Sequence, residues 1–233
     1  MASQTNILVM LGAHGSGKTT LGRLAARRLG WPFDEEIGNR LRDEALRRDS
    51  NDHAAACQPG FDRRVAELEI ERDRRSHGSR IVETWHPGNL GYAWQRSPGE
   101  AERLEALLKA HVSRLNARVL VQPLVIDREA ARKRLSQPGP GQRQMADFFL
   151  KVAACAQRLI SGFGFEVLPA VRTDRLTIAG ALESILAAVE LRLDYNSSVC
   201  KEEHLDLLNL QTNSLFEKAS FKNRVGRVGS QPW

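Results

Sequence analysis

The sequence predicts an α/β fold, a five-stranded parallel sheet with helices on both faces. Short apolar runs of strand length recur along the chain and alternate with longer runs of helical spacing. A glycine-rich loop ending in Lys18-Thr19 stands between the first strand and the first helix. At 233 residues and 42% hydrophobic, the chain can bury one substantial core and leaves little room for a second full domain.

The first strand is Ile7 to Leu11, and the first helix carries Leu21, Leu24, Ala25 and Leu29 on one face until Gly30 ends it. Trp31-Pro32-Phe33 opens a second strand that runs into the carboxylates Asp34, Glu35 and Glu36. Residues 39 to 48 read as helix and Asp49 to Gly60 as polar loop, and a further helix from Phe61 is closed by Gly78. Ile81 to Trp85 is the third strand, with His86-Pro87-Gly88-Asn89 read as a turn. A long helix from about Gly99 to Leu115 leads to a fourth strand, 117–126, which Pro123 interrupts or ends. Asp127 to Leu135 is helical. A flexible flap at 137–142 follows, with Arg132, Lys133 and Arg134 on one side and Arg143 on the other. A helix from Met145, a fifth strand at Phe165 to Pro169 and a last helix from Thr177 to Leu193 complete the domain, residues 1–194. The polar extension 195–233 reads as partly disordered, with one amphipathic stretch around Leu205 and Phe216.

Gly12-Ala13-His14-Gly15-Ser16-Gly17-Lys18-Thr19 fits the phosphate-binding pattern G-x-x-x-x-G-K-[ST] at every fixed position and lies between a strand and a helix, as the pattern requires. The glycines let successive N–H groups turn inward as a nest for phosphate oxygens at the positive end of the helix. Lys18 then neutralises the outer phosphates and Thr19 holds Mg²⁺, with Thr20 completing the nucleotide-binding segment. The fold is therefore expected to be that of the P-loop nucleoside triphosphatases, with a nucleoside triphosphate as ligand.

Other functions are argued against. The net charge is +6, but most arginines sit among acids on helical stretches and no aromatic residues interleave with a basic stripe, which speaks against a nucleic-acid partner. No apolar run is long enough for a membrane span and the N-terminus has no leader, so a cytoplasmic protein is expected. Three scattered cysteines and six histidines show neither a disulfide framework nor zinc spacing, and no metal beyond magnesium is assigned. A GTPase should carry an N-K-x-D base reader, which is absent. A mechanical ATPase usually needs more chain and a strong apolar strand ending in paired acids.

The chain resembles the P-loop small-molecule kinases, in particular the thymidylate kinase and deoxynucleoside kinase group, over about residues 5–192. The resemblance rests on Gly12 to Thr19, on Phe33-Asp34-Glu35-Glu36, on Glu83 at the end of the third strand, and on Val125 to Arg134 leading into an arginine-bearing lid, about 132–145. It implies ATP and Mg²⁺, and transfer of the γ-phosphoryl group to a small acceptor, a nucleotide or nucleoside, under a closing lid. Lys18 with Arg132, Arg134 and Arg143 would stabilise the moving charge. Glu83 would accept a proton from the acceptor or orient magnesium through water. Glu35, Glu36 and Arg72 would border the acceptor, and His14 and His86 are further candidate phosphate or acceptor ligands. Where those kinases carry Asp-Arg or Glu-Arg, this chain has Glu83-Thr84-Trp85-His86. The rival reading is a P-loop ATPase or regulatory switch acting on a protein partner, and a homodimer is compatible with either.

Overall fold

The computed structural model describes residues 5–48, 58, 60–135 and 142–194. The chain divides into two units, Met1–Val189 and Glu190–Trp233. Of the second, only the end of the last helix is described, and the expected 195–233 extension lies outside the described residues.

The first unit is built on strands β1 (Thr5–Gly12), β2 (Phe33–Asp34), β3 (Arg80–Glu83), β4 (Ala117–Val125), β5 (Glu166–Val167) and β6 (Val171–Arg172). All pairings are parallel, in the order β2-β3-β1-β4-β5, with β6 also paired to β4. The helices are α1 (Lys18–Leu29), α2 (Ile37–Arg48), α3 (Phe61–Arg75), α4 (Trp85–Arg96), α5 (Pro98–Val112), α6 (Arg128–Lys133), α7 (Gln142–Ile160) and α8 (Ile178–Asp194).

Parallel strands joined by helices must be covered on both faces, and the alternation along β1 shows that they are. Ile7, Val9 and Leu11 pack with Val82, Val119, Val121, Trp85, Ala156 and Ile160, while Leu8 and Met10, pointing the other way, are equally buried. A second apolar layer joins α3, α4 and α5 through Ala66, Ile70, Leu90, Ala101 and Leu104. A third, made of Ala13, Ile126, Ala131, Leu135 and Ala146, seats the phosphate loop against α6 and α7.

Four elements differ from expectation. His86-Pro87-Gly88-Asn89 is not a turn but lies in the opening turns of α4. Pro87 stands in the first turn, where its missing N–H has no intrahelical partner to lose. Gly91 is there because α7 passes so close that a Cβ would lie 2.6 Å from the Val152 carbonyl oxygen. Pro123 does not end β4. The carbonyls of Val121 and Val125 accept from Leu168 and Thr173 on one side of the strand, and Pro123, between them, faces the gap from β5 to β6, where no partner requires its N–H. Of the expected fifth strand, 165–169, only Glu166–Val167 pairs, and β6 beyond it is a sixth strand not expected from the sequence. The α3 helix also ends earlier than expected, at Arg75, capped through the Ser76 N–H on the Arg72 carbonyl.

Candidate functional site

β1 and β3 are neighbours, with Met10 in register with Glu83, so the loop after β1 and the acid ending β3 emerge side by side. This is the carboxyl edge of the sheet, where ligands of such folds bind. The loop closes on itself through the Ser16 N–H to the Ala13 carbonyl at 3.1 Å, and Gly17 caps α1 at φ 93°, a backbone state open to glycine at little cost. Lys18, 5% exposed, lies back along the loop with Nζ 3.3 Å from the Ala13 carbonyl oxygen. The Thr19 hydroxyl is 2.9 Å from each carboxylate oxygen of Glu83, whereas Thr20 is exposed on the first turn of the helix. A hydroxyl and a carboxylate together form an all-oxygen donor set of the kind Mg²⁺ takes, so these residues fit that ion.

Glu83 is 4% exposed. Burial pushes its carboxyl above the ordinary range; Lys18 opposes this and Glu36 adds to it. The residue after it is strained: Thr84 sits at φ 68°, ψ −60°, and Trp85 also has positive φ. The Thr84 hydroxyl donates to Glu36 at 2.8 Å, which ties the end of β2 to the end of β3.

What holds that turn lies behind it. Asp73 of α3 is wholly buried and accepts four bonds: from Arg80 at 2.6 Å and the Trp85 indole at 3.1 Å on one oxygen, and from His86 at 2.8 Å and His111 at 2.9 Å on the other. The expected ligand role of His86 does not fit, because the ring is fully buried against Asp73. Three of these side chains, Asp73, His86 and His111, come close enough to share a cation. Arg80 already supplies the positive charge, and among the described residues the Nδ1 of His86 has no partner, so the tautomer that donates from Nε2 to Asp73 avoids a buried, unsatisfied N–H. The cluster is therefore a hydrogen-bonded clamp.

A cavity of about 330 Å³ opens beside the loop, lined by residues of α2, α3, α4 and α7 together with Glu36. Its walls include Phe61, Tyr92, Phe148 and Phe149, with Asn89, Arg42, Asp62 and Arg96 as polar members. His14 of the loop stacks on Phe149 with ring centroids 4.8 Å apart, so the loop and the cavity share a wall. Burial, followed by the charge of Lys18, lowers the His14 pKa, which keeps the ring neutral at pH 7. Of the residues expected to border an acceptor, only Glu36 lines this cavity. Glu35 is exposed and paired with Arg23. Arg72 bonds Glu69 and the Glu35 carbonyl, bracing β2 against α3. Burial pushes Glu69 up to about 8, with Arg72 pulling the other way, and Glu69 in turn accepts from Asn89 at 3.4 Å.

The expected lid is described only at its ends, since 136–141 lie outside the described residues. Arg132 belongs to α6 and is half-buried, and Arg143 is exposed near the start of α7. Arg134 reaches the loop. Its guanidinium donates to the Gly15 carbonyl at 3.2 Å and to the Thr173 hydroxyl and carbonyl at 3.1 and 2.6 Å, while the Thr173 hydroxyl donates to the Ser16 carbonyl at 2.9 Å. Thr173 had no signal in the sequence; only the pairing of β6 with β4 carries it to the loop. Bonds from a charged donor contribute about 1.5–3 kcal/mol. Arg134→Ala is accordingly expected to weaken binding of a non-hydrolysable ATP analogue about tenfold by calorimetry. Unchanged affinity would show that the loop holds its shape without it.

The AAA domain family matches residues 7–168. No curated protein matches the sequence. Among solved structures, the YorR protein from Bacillus subtilis, in complex with phosphorylated GDP, is 15% identical at a TM-score of 0.53, covering 81% of this chain and 98% of that one. Deoxyadenosine kinase from M. mycoides with bound dATP is 11% identical at 0.51, covering 79% and 99%. NadR in complex with NR is 20% identical at 0.53, covering 79% of this chain but only 51% of that one. At these identities the likeness is one of fold, the parallel P-loop α/β fold expected from the sequence. No helix among the described residues is long and apolar enough to cross a membrane.

Proposed function

The chain belongs to the AAA domain family, and from that premise we propose that it transfers the γ-phosphoryl group of ATP to a small acceptor, a nucleotide or nucleoside, held in the cavity beside the loop. The observation that carries this reading is the side-by-side placement of Lys18, Thr19 and a buried Glu83, linked through the Thr84–Glu36 bond and the His14–Phe149 stack to a cavity large enough for a small molecule. An ATPase that only hydrolyses needs no such acceptor cavity.

Phosphoryl transfer is chiefly alignment and charge neutralisation. Loop N–H groups and Lys18 hold the outer phosphates, and Mg²⁺ held through the Thr19 hydroxyl would supply divalent charge there. Arg132, Arg134 and Arg143 flank the flap and are the candidate cations for the moving group, Arg134 also bracing the loop. Glu83 takes the acceptor's proton. The exposed arginines of α2 and α3 have no part in the step.

Because Glu83 must be ionised to accept a proton and its pKa is raised, kcat/KM is expected to rise with pH through a limb above the ordinary carboxylate range. Glu83→Gln should lower kcat about 10²–10⁴-fold and abolish that limb, with binding of the ATP analogue retained. A Glu83→Gln enzyme with wild-type kcat and an unchanged pH profile would contradict the assignment.

A further inference from the structure

We propose that the acceptor is an uncharged, flat-ringed molecule phosphorylated on a hydroxyl, of nucleoside type, and that the site rejects acceptors that already carry a phosphate. This rests on the kinase reading above and names the substrate class of that same site.

The charge around the acceptor's reacting end decides it. Glu36 lines the cavity and is the partner of Thr84, the residue next to Glu83, and both buried carboxylates act electrostatically on Tyr92 of the cavity wall. Among the described residues neither forms an ion pair. A phosphate placed there would face both carboxylates in a medium of low dielectric, where repulsion between like charges is poorly screened.

An acceptor phosphate would need guanidinium groups to offset that repulsion, and the lining has two. Arg96 is committed to Asp62 at 2.5 Å and lies over the rings of Phe61 and Tyr92 at 5.6 and 5.1 Å. Arg42 extends from α2 and is drawn to its neighbour Asp43 at 3.5 Å. The internal segments outside the described residues, 49–57, 59 and 136–141, contain neither lysine nor arginine. Among the described residues no side-chain cation therefore stands beside Glu36 and Glu83 to bind a second phosphate, apart from Lys18, which the loop uses for the nucleotide.

The chemistry agrees. A hydroxyl must lose a proton as it attacks, whereas a phosphate monoester is already anionic at neutral pH. The acceptor oxygen bonds to the γ-phosphorus as the bond from that phosphorus to the β,γ-bridging oxygen breaks. The hydroxyl proton passes to the Glu83 carboxylate, and ADP leaves with the bridging electron pair. At the far end, Phe61, Phe148 and Phe149 offer ring faces, and Asn89, braced by Glu69, offers an amide at the edge of a ring lying among them.

The test pairs each common nucleoside with its own 5′-monophosphate. Binding is measured by calorimetry on the full chain with Mg²⁺ and a non-hydrolysable ATP analogue, and turnover with ATP by recovery of the phosphorylated product. At least one nucleoside is expected to bind and turn over more than about tenfold better than its monophosphate. Glu36→Gln, checked for an unchanged melting temperature, should narrow that ratio by improving the monophosphate. Conversion of a monophosphate to a diphosphate in preference to its nucleoside overturns this inference and leaves the kinase reading standing, and so does transfer only to acceptors outside both sets. ATP consumption in every arm with no phosphorylated acceptor overturns both.

Discussion

Lys18→Ala is expected to lower turnover about 10²–10³-fold, the loss found when one preorganised charge or donor is removed from a transition state. The ammonium group is 5% exposed, and its one bond among the described residues, 3.3 Å to the Ala13 carbonyl, is long, so it is free to turn to phosphate oxygens when nucleotide enters. The same burial strengthens its electrostatic interaction with the phosphates. Nucleotide binding should weaken as well, because Lys18 meets the ground-state phosphates. The circular dichroism spectrum should not change, since the loop's shape rests on backbone bonds and on Arg134. Turnover within a few-fold of wild type would remove the loop from the chemistry.

The second large effect lies outside the cavity. Asp73→Ala removes the acceptor of four bonds and leaves Arg80 without its nearest buried partner. Breaking a buried charge pair from one side costs about 3–5 kcal/mol. In a domain of this size that corresponds to a fall in melting temperature of roughly 10 °C. The pH dependence gives a sharper readout. Burial alone would raise the Asp73 carboxyl, but the bonds from His111 and His86 and the charge of Arg80 hold it well below the usual range. Its contribution is present above the unfolded pKa of about 4 and is lost as pH falls through the folded value. Burial also lowers the His86 pKa, so that ring too favours the folded state while neutral and counts against it as pH falls below about 6.5. Both effects make the native protein acid-sensitive. Asp73→Ala should melt early at pH 7 and show a shallower loss of stability below about pH 4, where the wild type gives up the Asp73 contribution. A variant that melts like wild type would mean the strained turn at Thr84 is held by Glu36 alone.

The phosphate loop was legible because its chemistry is local: eight consecutive residues carry the nest, the lysine and the hydroxyl. Glu83 was legible for a related reason, since an acid that ends a buried strand emerges at the ligand edge of a parallel sheet. The acceptor side was not legible. Its cavity draws Glu36 from the end of β2, Asn89 and Tyr92 from α4, and Phe148 and Phe149 from α7, and no spacing in the chain links them. The first turn of α4 was itself hidden, because Pro87 and Gly88 signal a turn unless it is known that Gly88 packs so close to the Thr84 side chain that a Cβ would clash with it. Glu35 and Arg72 were singled out by type and place, but each spends its charge on a neighbour, Arg23 and Glu69. Asp73 looked like one acid in a charged helix, and only the meeting of α3, β3, α4 and α5 shows it as a fourfold acceptor.

Following the γ-phosphate of labelled ATP tests the central claim most directly. The protein is incubated with Mg²⁺, γ-labelled ATP and a panel of nucleosides, monophosphates and sugars, and the label is traced to its product. The account predicts label in a phosphorylated small molecule, equimolar with ADP, formed only when one acceptor is present and lost in Lys18→Ala and Glu83→Gln. Label released solely as inorganic phosphate, at a rate indifferent to every acceptor, would contradict it.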